Sequence, residues 1–449
     1  MSRDQALNVV PIENHDQLLD YFRSGEKPRH ERGIGTEHEK FAFKRADGEM
    51  LAFEEPGGFG DLFQRLLEAY GWEAAYDGGH IVALEREGAA ITLEPGGQFE
   101  LSGAIFKTVF ETAAEFDTHI DQIKAVAGDE LAMAIWGMNP FYAPEEIPWM
   151  PKSRYRIMRK YLPTRGDHAL YMMKTTCTIQ ANFDYTSEAD AADIMRTAVL
   201  ISPIISALFA NSPVKENELL DYQSYRGYAW TRTDPDRTGV PPFMYRDDWG
   251  YSDYLEYILD VPMFFIRREQ GYIDLAGHSF RDFLANGYEG HRASMGDFEL
   301  HLSTAFPEIR LKKYIEVRGA DGGPRRAVLA LPALWKGILY HEPTRRQAAQ
   351  LFAGTTPEAH TQIFLDAYRQ GIHAHTTHGP MLDLATELIR LSREGLAALA
   401  TEAGHQNEAV FLEPLDQIVG ERRSFADQLA GDFKTYGHDK LALVARWEI

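Results

Sequence analysis

The sequence predicts an α+β fold, a mainly antiparallel sheet flanked by helices. Three observations point there. Short runs with strand alternation (80–85, 90–94 and 98–102) follow one another through tight turns, which suits hairpin pairing rather than helical crossovers. Tyr171 to Asp184 alternates between an apolar set (Tyr171, Met173, Cys177, Ile179, Ala181, Phe183) and a set rich in hydroxyls and amides, as in an antiparallel strand buried on one side. From about Pro332 the apolar spacing turns helical, notably over 381–399 and 424–429. No linker-like stretch separates these parts. The 449 residues are therefore expected to form a single domain, 1–449, whose helical C-terminal part from about 332 packs on the sheet.

Composition narrows the partners. A hydrophobic share of 44%, with 12% aromatic, is enough for a large core. The net charge of −21 argues against nucleic acid or an anionic membrane surface, since both need a basic face. Met1 to Gln5 carries early charges without an apolar run, and no stretch reaches the roughly 18 apolar residues of a membrane span. The single cysteine, Cys177, rules out an intrachain disulfide. These features lead to the expectation of a cytoplasmic protein acting on small molecules.

The elements follow in order. A helix is expected over His15–Ser24, ended by Gly25. In the strand Gly35–Phe43, Glu37, Glu39, Phe41 and Phe43 share one face, and Thr36, His38, Lys40 and Ala42 the other. Asp61 to Tyr70 has helical spacing and stops at Gly71. The turn Glu94-Pro95-Gly96-Gly97 leads into a strand with Gln98, Glu100 and Ser102 on its polar face. Thr108 to Val126 reads as a long amphipathic helix. A basic island follows (Lys152, Arg154, Arg156, Arg159, Lys160, Arg165), either a solvated helix face or a site for nucleotide phosphates. Ser187 caps a helix reaching Asn211 that Pro203 should kink or break. Arg310 to Arg318 reads as a strand with Tyr314, Glu316 and Arg318 on one face, closed by a glycine-rich turn.

The chemistry lies in the acids. Glu37 and Glu39 point the same way as two phenylalanines, and a charge beside apolar surface loses hydration unless a counter-charge replaces it. One divalent cation can serve several carboxylates, and oxygen donors suit Mg²⁺ or Mn²⁺. Taken alone the pair is a solvated strand end as readily as a site. Glu94, Glu100 and Glu316 repeat the pattern, with Lys174, Gln180, Asn182 and Arg318 among them. Five acids around one face suit metal ions holding a triphosphate. No phosphate loop, dinucleotide fingerprint, nucleophile elbow or His-Glu-x-x-His motif is present. Asp234 to Gly239 mimics the start of an EF-hand loop but has Tyr245 where the twelfth-position glutamate belongs. The imidazoles of His373, His375 and His378 read as a surface loop. What remains is ATP chemistry without a Walker loop. A carboxylate-pair hydrolase and a non-catalytic metal-binding module are the competing classes. Cys177, on the apolar face, reads as a packing residue.

Several stretches carry a resemblance: Gly35-Thr36-Glu37-His38-Glu39-Lys40-Phe41, Leu93 to Gly103, Arg154 to Met158, Thr175 to Asn182, Ala207 to Pro213, Asp236 to Gly239 and Glu316 to Asp321. Collinear from about residue 30 to the C-terminus, they resemble the glutamate–cysteine ligases of the plant and proteobacterial type. The resemblance implies a glutamine synthetase/guanido kinase-like fold whose sheet curves into a substrate funnel. It also implies ATP-dependent joining of L-glutamate to L-cysteine through γ-glutamyl phosphate, with a related ligase using another amine acceptor as the alternative. By motif position, Glu37, Glu39, Glu94, Glu100 and Glu316 would be metal ligands, and Glu37, Glu39, Glu316 and Arg318 catalytic. Lys174, Thr176, Gln180, Asn182 and Arg237 would bind substrate, with Arg237 and Arg318 the candidates for the α-carboxylate, and Arg154, Arg156 and Arg159 would bind nucleotide. Gln180 stands where related ligases outside this branch use histidine. Plant members use disulfides for redox control, which one cysteine cannot provide within this chain. A monomer or homodimer is expected.

Overall fold

A computed structural model describes residues 8–449, so Met1 to Gln5 lie outside the described residues. Its centre is a nine-stranded sheet. The strands are β1 (Ile34–Lys44), β2 (Glu73–Asp77), β3 (His80–Arg86), β4 (Ala89–Leu93), β5 (Phe99–Ser102), β6 (Leu131–Ala134), β7 (Thr178–Phe183), β8 (Ile309–Leu311) and β9 (Ile315–Asp321). Their spatial order is β8-β9-β7-β1-β5-β4-β3-β2, with β6 pairing the second half of β1. Every pairing in this sheet is antiparallel.

Register explains why the polar groups share one face. Residues directly opposite each other in an antiparallel pair point the same way. Glu39 stands opposite Glu100 on β5, and Glu37 opposite Gln180 on β7. Glu316 stands opposite Asn182 on one side and Arg310 on the other. One row of acids, amides and arginines thus crosses the middle of the sheet. The opposite face of β1 packs on a helix: the His38 ring lies 4.8 Å from that of Phe116.

Seven helices matter for the site: α1 (His15–Arg23), α2 (Phe59–Tyr70), α3 (Val109–Ala127), α4 (Tyr155–Tyr161), α5 (Ala169–Thr175), α6 (Glu188–Leu208) and α7 (Tyr225–Thr231). Capping boxes at Asn14 and Thr108 start α1 and α3, as side-chain oxygens take up the first free N–H groups. Helix α6 is long and apolar enough to cross a membrane by length and composition, but most of it is buried inside the protein. The C-terminal helices Arg325–Leu339 and Met381–Ala403 pack against each other.

Three sequence expectations are corrected. Tyr171 to Asp184 is not one strand, because its first part is α5 and only 178–183 is β7. The Thr175 and Thr176 hydroxyls donate to the carbonyls of Tyr171 and Met172, four residues back, which supports the last helical turn. Burial on nearly every side masks the helical period there. Arg310 to Arg318 is a hairpin, turned at Lys312, whose N–H donates to the Tyr314 carbonyl at 2.8 Å. Pro203 lies inside an unbroken α6, where dense burial offsets the hydrogen bond the ring removes.

Cys177 is fully buried with Phe41, Phe43 and Trp136 in a small core beneath β1 and β6, and burial pushes its thiol pKa well up. Cys177→Ala is therefore expected to keep full turnover and to lose roughly 1 kcal/mol in denaturant unfolding. An inactive variant with a native transition would contradict a packing role.

Candidate active site

Two adjoining cavities lie on the polar face of the sheet. The smaller, about 90 Å³, is lined by Glu37, Glu39, Glu94 and Glu100, by Arg154, Arg226 and Arg318, and by an apolar wall that includes Met172, Met173, Trp230 and Phe265. The larger, about 900 Å³, carries Arg267, Arg292, Lys312 and Lys313 on its walls together with Asn182 and Tyr314. Glu37 and Ser303 line both, so the two spaces meet there.

The turn 94–97 sets the acidic wall of the smaller cavity. The Gln98 side chain accepts from the Gly96 N–H at 2.9 Å and donates to the carbonyls of Met173 and Thr176, tying the turn to the end of α5. Gly96 comes so close to that helix that an added Cβ would lie 2.3 Å from the Lys174 carbonyl oxygen. Gly96→Ala is accordingly expected to push Glu94 out of place, cutting turnover at least tenfold and lowering the melting temperature. Wild-type kinetics in this variant would show that the turn tolerates displacement.

Charge is distributed unevenly across the row. Glu39 accepts the Thr178 N–H at 3.0 Å, yet burial, then the nearby Glu100 and Glu94, push its pKa well above the usual carboxylate range. Burial, then Glu100, pushes Glu94 up to about 7, and its Oε1 is buried with no hydrogen-bond partner. The cations nearby, Arg226 for Glu39 and Lys152 and Arg154 for Glu94, only partly offset that rise. Glu316 is the opposite case. Arg310 donates to both of its oxygens at 2.7 and 2.8 Å, Arg318 donates to one of them, and Lys312 Nζ lies at 3.3 Å. Burial would raise Glu316, but Arg310, Lys312 and Arg318 hold it well below the usual range.

This distribution has a pH signature. With its pKa raised from 4.5 to about 7, Glu94 binds more protons in the folded protein than in the unfolded chain across that window. Its contribution to stability therefore falls as pH rises from about 4.5 through 7. Without divalent cation, the melting temperature of the wild type relative to Glu94→Gln is expected to drop by several degrees between pH 5 and pH 8. Mg²⁺ should restore the loss at pH 8 and have little effect at pH 5. A pH-independent difference between the two proteins would contradict it.

The sequence-predicted residues divide. Glu37, Glu39, Glu94, Glu100, Gln180, Thr176, Arg154 and Arg318 line the smaller cavity, and Asn182 faces the larger one, donating to Glu37 at 2.9 Å. The Gln180 side-chain oxygen accepts from Arg318 at 3.0 Å, and the Thr176 hydroxyl is committed to Met172. Glu316 stands in the same row, but its oxygens are held by arginines, so it is not available as a metal ligand in this arrangement. Lys174 does not reach either cavity: it is buried and donates to the carbonyls of Pro144 and Ile147. Arg237 is withdrawn too, fixed by Asp234 at 2.7 Å and by the carbonyls of Thr304 and Pro262. The basic island does not act as a group, since Arg156 and Arg159 are exposed on α4 and Arg159 stacks over Trp149. The histidines of 373–378 diverge: His373 bonds Asp427 and His378 bonds Thr355.

Arg226, Trp230, Arg310, Lys312 and the arginines of the larger cavity were not marked in the sequence. The signal for Arg310 was its cross-strand pairing with Glu316, legible once the hairpin turn is placed. Arg226 gives no such signal, being the second residue of the seven-residue helix α7.

Acids and arginines on one sheet face, beside a large cavity whose walls mix arginines and lysines with acids, make a pocket for small charged molecules. The comparisons with known proteins specify it. The chain belongs to glutamate–cysteine ligase family 2, whose family model matches residues 33–440. It is a ligase. Glutamate–cysteine ligase B, chloroplastic, of Oryza sativa subsp. japonica is 38% identical over 437 residues, covering 96% of this chain and 86% of that one. Its chloroplastic counterpart in Medicago truncatula is 39% identical over 423 residues, 93% of this chain and 81% of that one. Among solved structures, the Francisella tularensis glutamate–cysteine ligase in complex with AMP superposes with a TM-score of 0.58 at 14% identity, covering 92% of this chain and 88% of its own. A bifunctional glutathione synthetase from Pasteurella multocida gives 0.51 at 15% identity, covering 96% of this chain and 52% of its own. The expectation of a cytoplasmic protein is corrected: these curated relatives are chloroplastic. The reason is physical, since plastid transit segments are polar and amphipathic, so a missing apolar run does not argue for the cytoplasm.

Proposed function

We propose that this protein joins the γ-carboxylate of L-glutamate to the amine of L-cysteine, converting ATP to ADP and phosphate, with the whole chain acting as one catalytic domain. The observation that carries this is the junction at Glu37, where a cavity large enough for a nucleotide opens on a smaller one lined by acids and arginines. Arg267, Arg292, Lys312 and Lys313 supply positive charge for phosphates in the first. In the second, Arg154, Arg226 and Arg318 offer charge to carboxylates, and the thioethers of Met172 and Met173 with the Trp230 ring give a soft, apolar surface for a thiol. The AMP of the Francisella relative supports nucleotide use.

A carboxylate becomes an acyl donor only when its oxygen is made a leaving group. The γ-carboxylate oxygen would attack the γ-phosphorus of ATP and ADP would depart. The cysteine amine would then attack the acyl carbon, and phosphate would leave with the carboxylate oxygen. Arg318, bridging Gln180 and Glu316, is placed to hold charge beside the transferred group.

Among the described residues, no three His, Cys, Asp or Glu side chains are gathered closely enough to hold an ion as they stand. The donor chemistry nonetheless fits a hard divalent cation at Glu39, Glu94 and Glu100, since the acids repel one another and one Glu94 oxygen has no partner. Bound there, Mg²⁺ would neutralise these acids and polarise substrate oxygens.

ADP formation measured with glutamate alone, cysteine alone and both tests the function. ADP and γ-glutamylcysteine in equal amounts, only when both are present, are expected. Brisk ADP formation with a different amine in place of cysteine would move the protein to another ligase specificity.

A further inference from the structure

Helix α7 carries Arg226 and Trp230 into the amino-acid pocket, and the chain around α5 supplies Met172, Met173 and Thr176 to the facing wall. A helix of seven residues has little stability of its own, so its position depends on what holds its ends. Both ends of α7 are gripped by the three residues that precede α5. At the first residue, the Tyr225 hydroxyl lies 2.9 Å from His168 Nε2, and His168 Nδ1 lies 2.8 Å from Asp167 Oδ1. At the far end, Arg232 Nε donates to Asp167 at 2.7 Å, and the His168 N–H donates to the Arg232 carbonyl at 3.2 Å. Gly166 lies so near that a Cβ would come within 2.0 Å of the same carbonyl oxygen. An Nδ1–H donating to Asp167 leaves the Nε2 lone pair to accept from Tyr225, which satisfies all three groups at once.

We infer that His168 is a positioning residue for the proposed ligation: with Asp167 it staples α7 to α5 on their outer side and so sets where Arg226 and Trp230 stand against the bound amino acids. The inner side of α7 is tied separately, through Ser224 Oγ to Asp321 at 2.8 Å. Loosening the outer staple should let the helix tilt about that inner anchor rather than unfold. His168 lines neither cavity. Its effect is transmitted through Tyr225 and therefore falls on amino-acid binding, while the nucleotide cavity, built from other elements, is spared.

The inference rests on the amino-acid pocket assigned above, and the test separates the two. Tyr225→Phe, His168→Ala, their combination and His168→Gln are compared with the wild type. Steady-state constants are measured for each substrate, and backbone amide exchange over 225–231. Expected are a fivefold or larger rise in KM for glutamate or cysteine in each single variant and an ATP KM within twofold of wild type. The double variant should be no worse than either single one, His168→Gln should show partial recovery, and exchange in 225–231 should be tenfold faster in the loosened variants. Unchanged exchange and unchanged KM would overturn the inference, as would effects of the two substitutions that multiply. A wild type that forms no γ-glutamylcysteine would defeat the proposed reaction instead, and the exchange measurement would still decide whether the staple holds α7.

Discussion

Glu94→Gln, Glu39→Gln and Glu100→Gln are each expected to lower turnover by about 10²–10³, the range found when one preorganised electrostatic group is removed from a site. The fold should survive. Glu39 and Glu94 are buried beside other acids, so the amide at either of these two positions should raise the melting temperature of the cation-free protein at pH 8. Lost activity with gained stability distinguishes a working acid cluster from a structural one, in which both would fall together. Wild-type turnover and unchanged Mg²⁺ dependence in all three variants would contradict the assignment.

Arg310→Met is expected to have the largest effect on folding. Arg310 and Glu316 are both buried, and Arg310 makes the bidentate contact with Glu316 while also donating to the carbonyls of Ser303 and Ala305. Removing one member of such a pair leaves an uncompensated charge and costs roughly 3 kcal/mol or more. Lys312 and Arg318 remain, which keeps the loss near the lower end. The expected result is a sharp fall in soluble protein and in the denaturant midpoint. The double variant Arg310→Met with Glu316→Met should recover neither folding nor turnover, because Lys312 and Arg318 are then buried without the carboxylate they share. A stable, active Arg310→Met protein would show that Glu316 is compensated by the other cations alone.

The parts of the site legible in the sequence are those governed by the two-residue period. Glu37, Glu39, Glu100 and Gln180 lie on strands whose alternation shows in the residues themselves, and the register then brings them together. Glu94 was legible through its turn, which glycines permit and Gln98 fastens. Lys174 was misplaced because a helix buried on nearly every side has no apolar stripe to reveal its period, so a half-buried strand fitted as well. Glu316 was placed on the correct strand, but its pairing with Arg310 depends on a turn hidden inside an apparently continuous run. Arg237 was assigned from a motif that does not reveal its ion pair with Asp234, which holds it in the core. Arg226 belongs to a short helix positioned by tertiary contacts, and no local pattern announces such an element.

The central claim is that glutamate is activated as an acyl phosphate, and the fate of one oxygen tests it most directly. Glutamate labelled with ¹⁸O in its γ-carboxylate is incubated with the protein, ATP, Mg²⁺ and cysteine, and the inorganic phosphate is analysed by mass. The carboxylate oxygen that attacks phosphorus stays with phosphorus when the amine displaces it. One ¹⁸O per phosphate is therefore expected for each γ-glutamylcysteine formed. Unlabelled phosphate accompanying the same product would mean that water, not the γ-carboxylate, received the phosphoryl group, and would contradict the mechanism.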